Sequence, residues 1–538
     1  MSINENTLIG LLVCLPYFGL LILTLPQLTP ELFRVTDSKF WFYFLTFLNS
    51  IFLWIWLDRF MVNNGNILIY LLVLPLLGAL ALLLIPSWNS QLLRVTALGF
   101  SFLTFLFSLL LWVWFDKSTA KFQFVNEILW VESLNLNLIL GIDGISLFLV
   151  LLTTLLIPIC ILASWVGIKT SVKEYLIAFL VMESFLIGVF SVLDLLLFYI
   201  LFESVLIPMF LIIGIWGSRE RKIRAAYFFF LYTLLGSVLM LLGILYIYYQ
   251  TGTTDYESLL TISLTETEQK LLWISFFASF ATKVPMMPMH IWLPEAHVEA
   301  PTAGSVILAG VLLKLGTYGL IRFSLPLFPF ASLYFTPLVY SMAATAIVYT
   351  SLTAIRQTDL KRIIAYTSVA HMNLVIIGLF SFNVLGIEGS MLQSLSHGFV
   401  ASGLFLIIGV IYDRHHTRMV KYYGGLVHTM PLFTLIFLLF TMANIALPGT
   451  SSFIGELLIL TGAYKTNTTI TFIGATGMIL GGGYSLWLFN RISYGNLKVQ
   501  YLNQFCDIEK REFYIFLPLI IGTLFMGICT TPKSLNHK

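Results

Sequence analysis

Unbroken apolar runs of roughly twenty residues recur from one end of this chain to the other, and they leave few ways for it to fold. Inside hydrocarbon every backbone N–H and C=O must be paired within the protein, so a spanning segment is either a helix or a strand of a closed barrel. Barrel strands read as short segments of alternating polarity, and these runs do not alternate. Of 538 residues 59% are hydrophobic and 10% charged, against about 25% charged in soluble domains. That excludes a water-soluble globular enzyme and equally a disordered chain. A net charge of +3 makes no case for nucleic acid. The expectation is an all-α polytopic membrane protein.

Sixteen spans are expected, near 8–28, 40–58, 66–86, 96–115, 143–164, 175–192, 195–216, 225–249, 271–289, 302–322, 333–354, 362–382, 391–411, 430–463, 469–489 and 513–531. The run 430–463 contains Pro448-Gly449 and reads as two half-helices, because a mid-span proline frees backbone groups that lipid cannot satisfy. The first four spans hold an internal repeat. Residues 44–58 and 102–116 agree at ten of fifteen positions, and Arg34-Val35-Thr36 matches Arg94-Val95-Thr96. Residues 1–65 therefore read as a tandem duplicate of the hairpin at 66–116. Alternating loops place nineteen Lys and Arg on one side and eight on the other, so the first side is read as the inner one. In that tally Lys361 and Arg418 are inner loop residues and Arg322 an outer one.

Two of the 29 basic residues fit no loop: Lys283 and Lys314, both deep in apolar runs. A charge at the bilayer centre costs at least about 2.5–3.5 kcal/mol, and such residues mark ion or proton pathways. Snorkelling to the interface is the bland alternative, stronger for Lys283, which Pro285 and Pro288 follow closely. Glu203, Glu456 and Glu183 are equally misplaced carboxylates. Glu203 is a plausible partner for Lys283, since buried acids pair with buried bases. Glu183 reads either as a relay group or as a hydrogen-bonded structural acid. Asp194 and Asp143 read as helix caps. His371 and His397 lie in or near apolar spans and can relay protons. His290 and His297 do not have the spacing of a zinc site, and no two of Cys14, Cys160, Cys506 and Cys529 have the spacing of a metal-ligand set. Gly477 and Gly481 to Gly483 read as close helix-packing positions. Charge beside a broken helix in two places, at Lys283 and Glu456, suggests an internally repeated ion-transport fold.

Three stretches carry a family resemblance: Lys283-Val284-Pro285-Met286-Met287-Pro288-Met289-His290-Ile291-Trp292-Leu293-Pro294-Glu295-Ala296-His297, Leu312-Leu313-Lys314-Leu315-Gly316-Thr317-Tyr318-Gly319, and Leu447-Pro448-Gly449-Thr450-Ser451-Ser452-Phe453-Ile454-Gly455-Glu456. Together they resemble the antiporter-like subunits of respiratory complex I over about residues 66–532. The resemblance implies fourteen core helices with two inverted five-helix repeats, the broken seventh and twelfth carrying Lys283 and Glu456, within a proton-translocating domain at 66–538. Residues 1–65 would then be an added hairpin without a counterpart in the family pattern. It also implies roles: Glu203 and Lys283 as a charge-sensitive pair, Lys314 as central relay, His371 and His397 carrying protons onward, Glu456 as exit acid. Glu456 sits where the family's subunits 2 and 5 are expected to carry Lys. No cofactor is expected in this chain; NADH, FMN, iron–sulfur clusters and ubiquinone would belong to partner subunits. Expected partners are membrane lipid and other complex I membrane-arm subunits, subunits 2 and 5 above all, in the mitochondrial inner membrane. A subunit of a multi-subunit sodium/proton antiporter is the alternative. A purely structural spacer is disfavoured by five ionisable groups in apolar spans.

Overall fold

Helices dominate because the apolar runs can satisfy their own backbone in no other way. The computed structural model describes residues 66–131, 136–498 and 506–528. The expected spans at 8–28 and 40–58, and with them the duplicated hairpin, lie outside the described residues, as do Cys14 and Cys529. In chain order the elements are α1 (Ile67–Leu84), α2 (Ser90–Trp114), β1 (Gln123–Val131), β2 (Leu136–Ile142), α3 (Gly144–Gly167), α4 (Val172–Ser191), α5 (Leu195–Ser204), α6 (Leu206–Trp216) and α7 (Lys222–Thr251). There follow α8 (Tyr256–Leu260), α9 (Glu266–Lys283), α10 (Trp292–Glu299), α11 (Thr302–Leu327), α12 (Thr336–Arg356), α13 (Leu360–Leu379) and α14 (Val384–His415). Last come α15 (Pro431–Asn444), α16 (Ser451–Thr466), α17 (Thr468–Ser493) and α18 (Lys510–Ile528). Among the described residues twelve helices, counting α5 and α6 as one, are long and apolar enough to cross a membrane.

One element was not expected. Residues 123–142 form an antiparallel hairpin, β1 with β2, in what the hydropathy reads as a plain loop. Its strands do not alternate cleanly: Phe124-Val125 and Ile128-Leu129 flank Asn126-Glu127, so no clear period-2 pattern marks the hairpin beside the apolar helices. Leu140 bridges to Val192, and Asp194 to Asp255, so the hairpin and the turns before α5 and α8 share one face of the molecule.

Prolines set the breaks. Pro208 has no N–H for the carbonyl four residues back, and the span 195–216 steps at Ser204/Val205, directly after Glu203. Between α9 and α10, Pro285 and Pro288 stop the helix at Lys283. The freed carbonyls find new donors: Trp292 Nε1 to Thr282 at 2.8 Å, and Asn373 Nδ2 to Pro285 at 3.3 Å. The run at 430–463 divides as expected, into α15 and α16, with Gly449 at φ 94° in the turn. Ser452 Oγ there donates to the carbonyl of Ala443. Helix α11 is continuous but contains two π-helical turns, at Leu308–Leu312 and Leu320–Ser324, on either side of Lys314.

Helices α11 and α14 are the most enclosed, each with 94% of its spanning window buried. Helix α7 instead turns Leu231, Leu235, Leu239 and Leu242 outward, an apolar surface suited to lipid. Close approach of α14 to α16 depends on glycine: a Cβ on Gly389 would lie 2.7 Å from the Ile459 backbone nitrogen and 3.0 Å from the Gly455 carbonyl oxygen. Backbone cannot yield as a flexible side chain can, so Gly389→Val should cost roughly 1–3 kcal/mol of packing. The expected outcome is less assembled subunit on native gels, with Gly99→Ala, where a Cβ meets nothing within 4 Å among the described residues, as the control that shows little loss.

Candidate functional site

Lys314 is completely buried at the middle of α11. Its Nζ lies 2.5 Å from the Ala309 carbonyl oxygen and 2.8 Å from His397 Nδ1 on α14. A lysine and an imidazole nitrogen at that distance share one proton: either the ammonium donates to a neutral ring or the ring N–H donates to a neutral amine. The π-helical turn at 308–312 holds Ala309, so the irregular backbone faces the lysine. The His397 and His371 rings lie 6.1 Å apart between centroids, tilted by 50°. His371 Nδ1 then meets Glu456 Oε1 at 3.0 Å, and Gln393 Nε2 donates to the same oxygen at 2.9 Å. The four residues come from α11, α14, α13 and α16, and only the tertiary fold brings them into line.

The link between the two rings is open. Among the described residues, His371 Nε2 is buried without a hydrogen-bond partner. Beside His371 and Glu456 lies a cavity of about 20 Å³, lined also by Asn444, Gly477, Gly481 and Tyr484. That is room for about one water, and the walls supply polar partners for it. Gly477 is a close-packing position as expected, since a Cβ there would meet Ile347 at 2.3 Å, and it also borders this cavity. Gly483 faces open space and packs against nothing.

Glu203 and Lys283 behave differently from the expected ion pair. Lys283 is 2% exposed, so it does not snorkel. Among the described residues no ion pair of 4.0 Å or less joins it to Glu203. Its Nζ sits 4.3 Å from the centre of the Phe202 ring, and neither that nitrogen nor Glu203 Oε1 has a hydrogen-bond partner. The two charges remain within Coulombic reach of one another. The cation rests on the π face of the neighbouring residue, not on the carboxylate, an arrangement with two alternatives for one ammonium.

The remaining acids are held locally. Thr104 Oγ1 donates to Glu183 Oε1 at 2.6 Å, which fits the structural reading of that residue. Asp194 caps α5 through Leu197 N at 2.9 Å, and Asp143 caps α3 in a reciprocal box with Ser146. Burial works against the Asp143 charge, but Arg322 and the Ser146 donors outweigh it and hold the carboxyl below the usual carboxylate range. His297 stacks on Phe405 with centroids 4.7 Å apart, and neither ring nitrogen has a partner. No group of three metal-ligating side chains occurs among the described residues.

Of the basic residues in the loop tally, Arg322 and Lys361 lie within helices, and Arg418 is in a loop as read but is buried. Arg322 is 7% exposed and bonds Asp143 at 2.6 Å. Lys361 is 2% exposed, with Nζ 2.7 Å from the Ala300 carbonyl oxygen, and Arg418 is 1% exposed and bonds the Val298 carbonyl. Arg322 and Lys361 lie at an end of a hydropathy run, where sequence alone cannot tell a loop from a helix end turned inward. Gln393 was missed outright. It stands four residues before His397, hence on the same face of α14, and that spacing was the available signal.

A family model described as NADH:quinone oxidoreductase/Mrp antiporter, transmembrane, matches residues 192–481, which include the whole line from Lys314 to Glu456. The chain belongs to this family. NADH-ubiquinone oxidoreductase chain 4 of Arabidopsis thaliana is 63% identical over 458 residues, 85% of this chain and 92% of the relative. NADH-quinone oxidoreductase subunit M of Rhodobacter capsulatus is 49% identical over 480 residues, 86% of this chain and 93% of the relative. A chain in the structure of respiratory complex I from Thermus thermophilus superposes with a TM-score of 0.79 at 29% identity, over 87% of this chain and 97% of that one. Relatives at this identity place the chain in the antiporter-like, chain 4 branch of the family.

Gln393 and His371 share one carboxylate oxygen, so removing Gln393 should change how that carboxylate is held. Infrared difference spectra referenced to Glu456→Gln should show the Glu456 carboxyl band displaced in Gln393→Leu. An unmoved band would mean the contact contributes nothing.

Proposed function

We propose that this chain is a proton-translocating membrane-arm subunit of respiratory complex I, in the mitochondrial inner membrane. The observation that carries the reading is the buried line from Lys314 through His397 and His371 to Glu456. Titratable groups in a line, with two of its three links at hydrogen-bond distance, are suited above all to passing protons. On this reading NADH, FMN, iron–sulfur clusters and ubiquinone sit in partner subunits, and the neighbours along the membrane arm are the antiporter-like subunits 2 and 5. The relatives named as NADH-ubiquinone oxidoreductase chain 4 and NADH-quinone oxidoreductase subunit M support it.

The steps follow from the contacts. A proton reaching Lys314 passes to His397 across 2.8 Å. The step from His397 to His371 crosses rings 6.1 Å apart and needs a bridging water; Nδ1 of His371 then delivers to Glu456 across 3.0 Å. Glu456 releases it to the outer side. Lys283 and Glu203 set the driving field: drawn to Glu203, the ammonium leaves less positive charge beside α11, and back on Phe202 it leaves more. Against 100 mV one proton needs about 2.3 kcal/mol. That energy comes from electron transfer elsewhere and arrives as a shifted neighbour or field.

Counting the broken pairs α9/α10 and α15/α16 with the twelve long spans gives the fourteen helices of the family pattern, which we read as two inverted five-helix repeats with flanking helices. Residues 1–65 are then an added hairpin copied from 66–116, and 66–538 the transport domain. A hairpin adds an even number of spans and leaves the topology downstream unchanged.

In an assembled complex, Lys314→Met or Glu456→Gln should slow proton transfer through this subunit by roughly tenfold or more, as loss of a proton-transfer group does, and so lower the protons moved per NADH oxidised. Lys283→Ala and Glu203→Ala should lower both pumping and coupled quinone reduction. Normal pumping in assembled Glu456→Gln vesicles would sink the relay. Transport that tracks sodium and needs no NADH would place the chain with the Mrp-type antiporters instead. Removing residues 1–65 should leave the remaining helices in their original orientation, read by protease accessibility of the loops; an inverted pattern would contradict the duplication.

A further inference from the structure

The relay makes no use of Arg322, although this residue stands on the same helix as Lys314, eight residues toward the face that carries the β1/β2 hairpin. Eight residues of helix are about 12 Å. A proton held at Lys314 has two ways out: sideways along His397 and His371, or straight along α11 to that face. The straight way would bypass Glu456.

That way is filled. Arg322 Nη2 meets Asp143 Oδ1 at 2.6 Å, and its Nε donates to Tyr318 Oη at 3.3 Å. The guanidinium carbon lies 5.0 Å from the Phe122 ring centre, 5.4 Å from Tyr318 and 5.8 Å from Tyr256. Further rings pack behind: Phe190 on Tyr318 at 5.2 Å, Phe198 on Phe323 at 4.5 Å, Tyr256 on Phe323 at 5.6 Å. The Tyr318 hydroxyl donates to the Phe190 carbonyl at 3.2 Å, which commits its proton. Of the ion pair, Asp143 is the more exposed at 19% against 7%, so the carboxylate is the outer partner and the cation the inner one.

An arginine side chain stays protonated in proteins, so it cannot hand a proton on, and it repels an approaching one. A fixed arginine at a constriction is a known way for a pore to refuse protons. We propose that Arg322, held by Asp143 within this cage of rings, is the barrier that stops protons at Lys314 from leaking directly to the hairpin face and so forces them sideways to Glu456. The proposal rests on the proton-translocating reading of the relay.

The test is passive proton flux through the purified, assembled complex in liposomes under an imposed pH gradient, without NADH. Asp143→Asn keeps the cation and a competent helix cap. Asp143→Asn with Arg322→Gln removes the cation and leaves a neutral hydrogen-bonding pair. Asp143→Asn, which keeps the cation and an amide oxygen to hold it, is expected to leak little, and the double variant to leak roughly tenfold faster or more than Asp143→Asn. Adding Lys314→Met to the double variant should close the leak again. Equal flux in Asp143→Asn and the double variant overturns the barrier, as does a leak that survives Lys314→Met. So does a double variant that fails to assemble where Asp143→Asn assembles, since that assigns Arg322 to folding alone. Because passive flux is read without turnover, normal pumping by Glu456→Gln would end the relay reading without touching this result.

Discussion

A polar group without a partner in hydrocarbon costs several kcal/mol, and most of this protein's architecture answers that one cost. Where the helices are regular the backbone pays it internally. Where Pro208, Pro285, Pro288 and Pro448 interrupt them, side chains step in: Trp292 on the Thr282 carbonyl, Asn373 on that of Pro285, Ser452 on that of Ala443. Every such break lies within a few residues of an ionisable group, Glu203, Lys283 or Glu456. A broken helix makes the local surroundings polar, and a polar pocket is where a charge can stay in a membrane.

The same constraint separates charges that are locked from charges that are loose. Arg322 has a carboxylate, a phenol and three ring faces, and Arg414 has both oxygens of Glu512. Each is tied to a carboxylate by an ion pair. Among the described residues, Lys283, Glu203 and His371 each retain a buried atom without a partner. Groups left short of partners have somewhere to move, or a water or proton to take up; His371 lies on the proposed relay, and Lys283 and Glu203 form the pair proposed to drive it. Burial is similar in the two classes; the locked arginines each touch a carboxylate, whereas Lys283 and Glu203 do not touch one another.

Much of this was legible early. Lys283, Lys314, Glu203 and Glu456 declare themselves because a charge within twenty apolar residues has no other explanation. The division of 430–463 followed from Pro448-Gly449. Less visible were Arg322 and Lys361, because a charge near the end of an apolar run reads the same whether it faces water or turns inward. Gln393 carries no charge, and only its partner Glu456, 63 residues away, gives it a role. The hairpin at 123–142 was hidden by its length, since two short strands leave a weak period beside helices of twenty residues or more.

The sequence by itself determined that this is a helical membrane protein, where its helices lie and break, and which residues carry charge into the bilayer. Those properties depend on the transfer cost of each segment taken alone, and that cost is local. Only the tertiary structure decided which charges meet: that Lys314 faces His397, that His371 and Gln393 share Glu456, that Lys283 rests on Phe202, and that Arg322 is tied to Asp143. These contacts join residues on different helices, and in lipid helix pairing is set by small residues and shape, not by hydrophobicity. Patterns along one strand of sequence do not encode that directly.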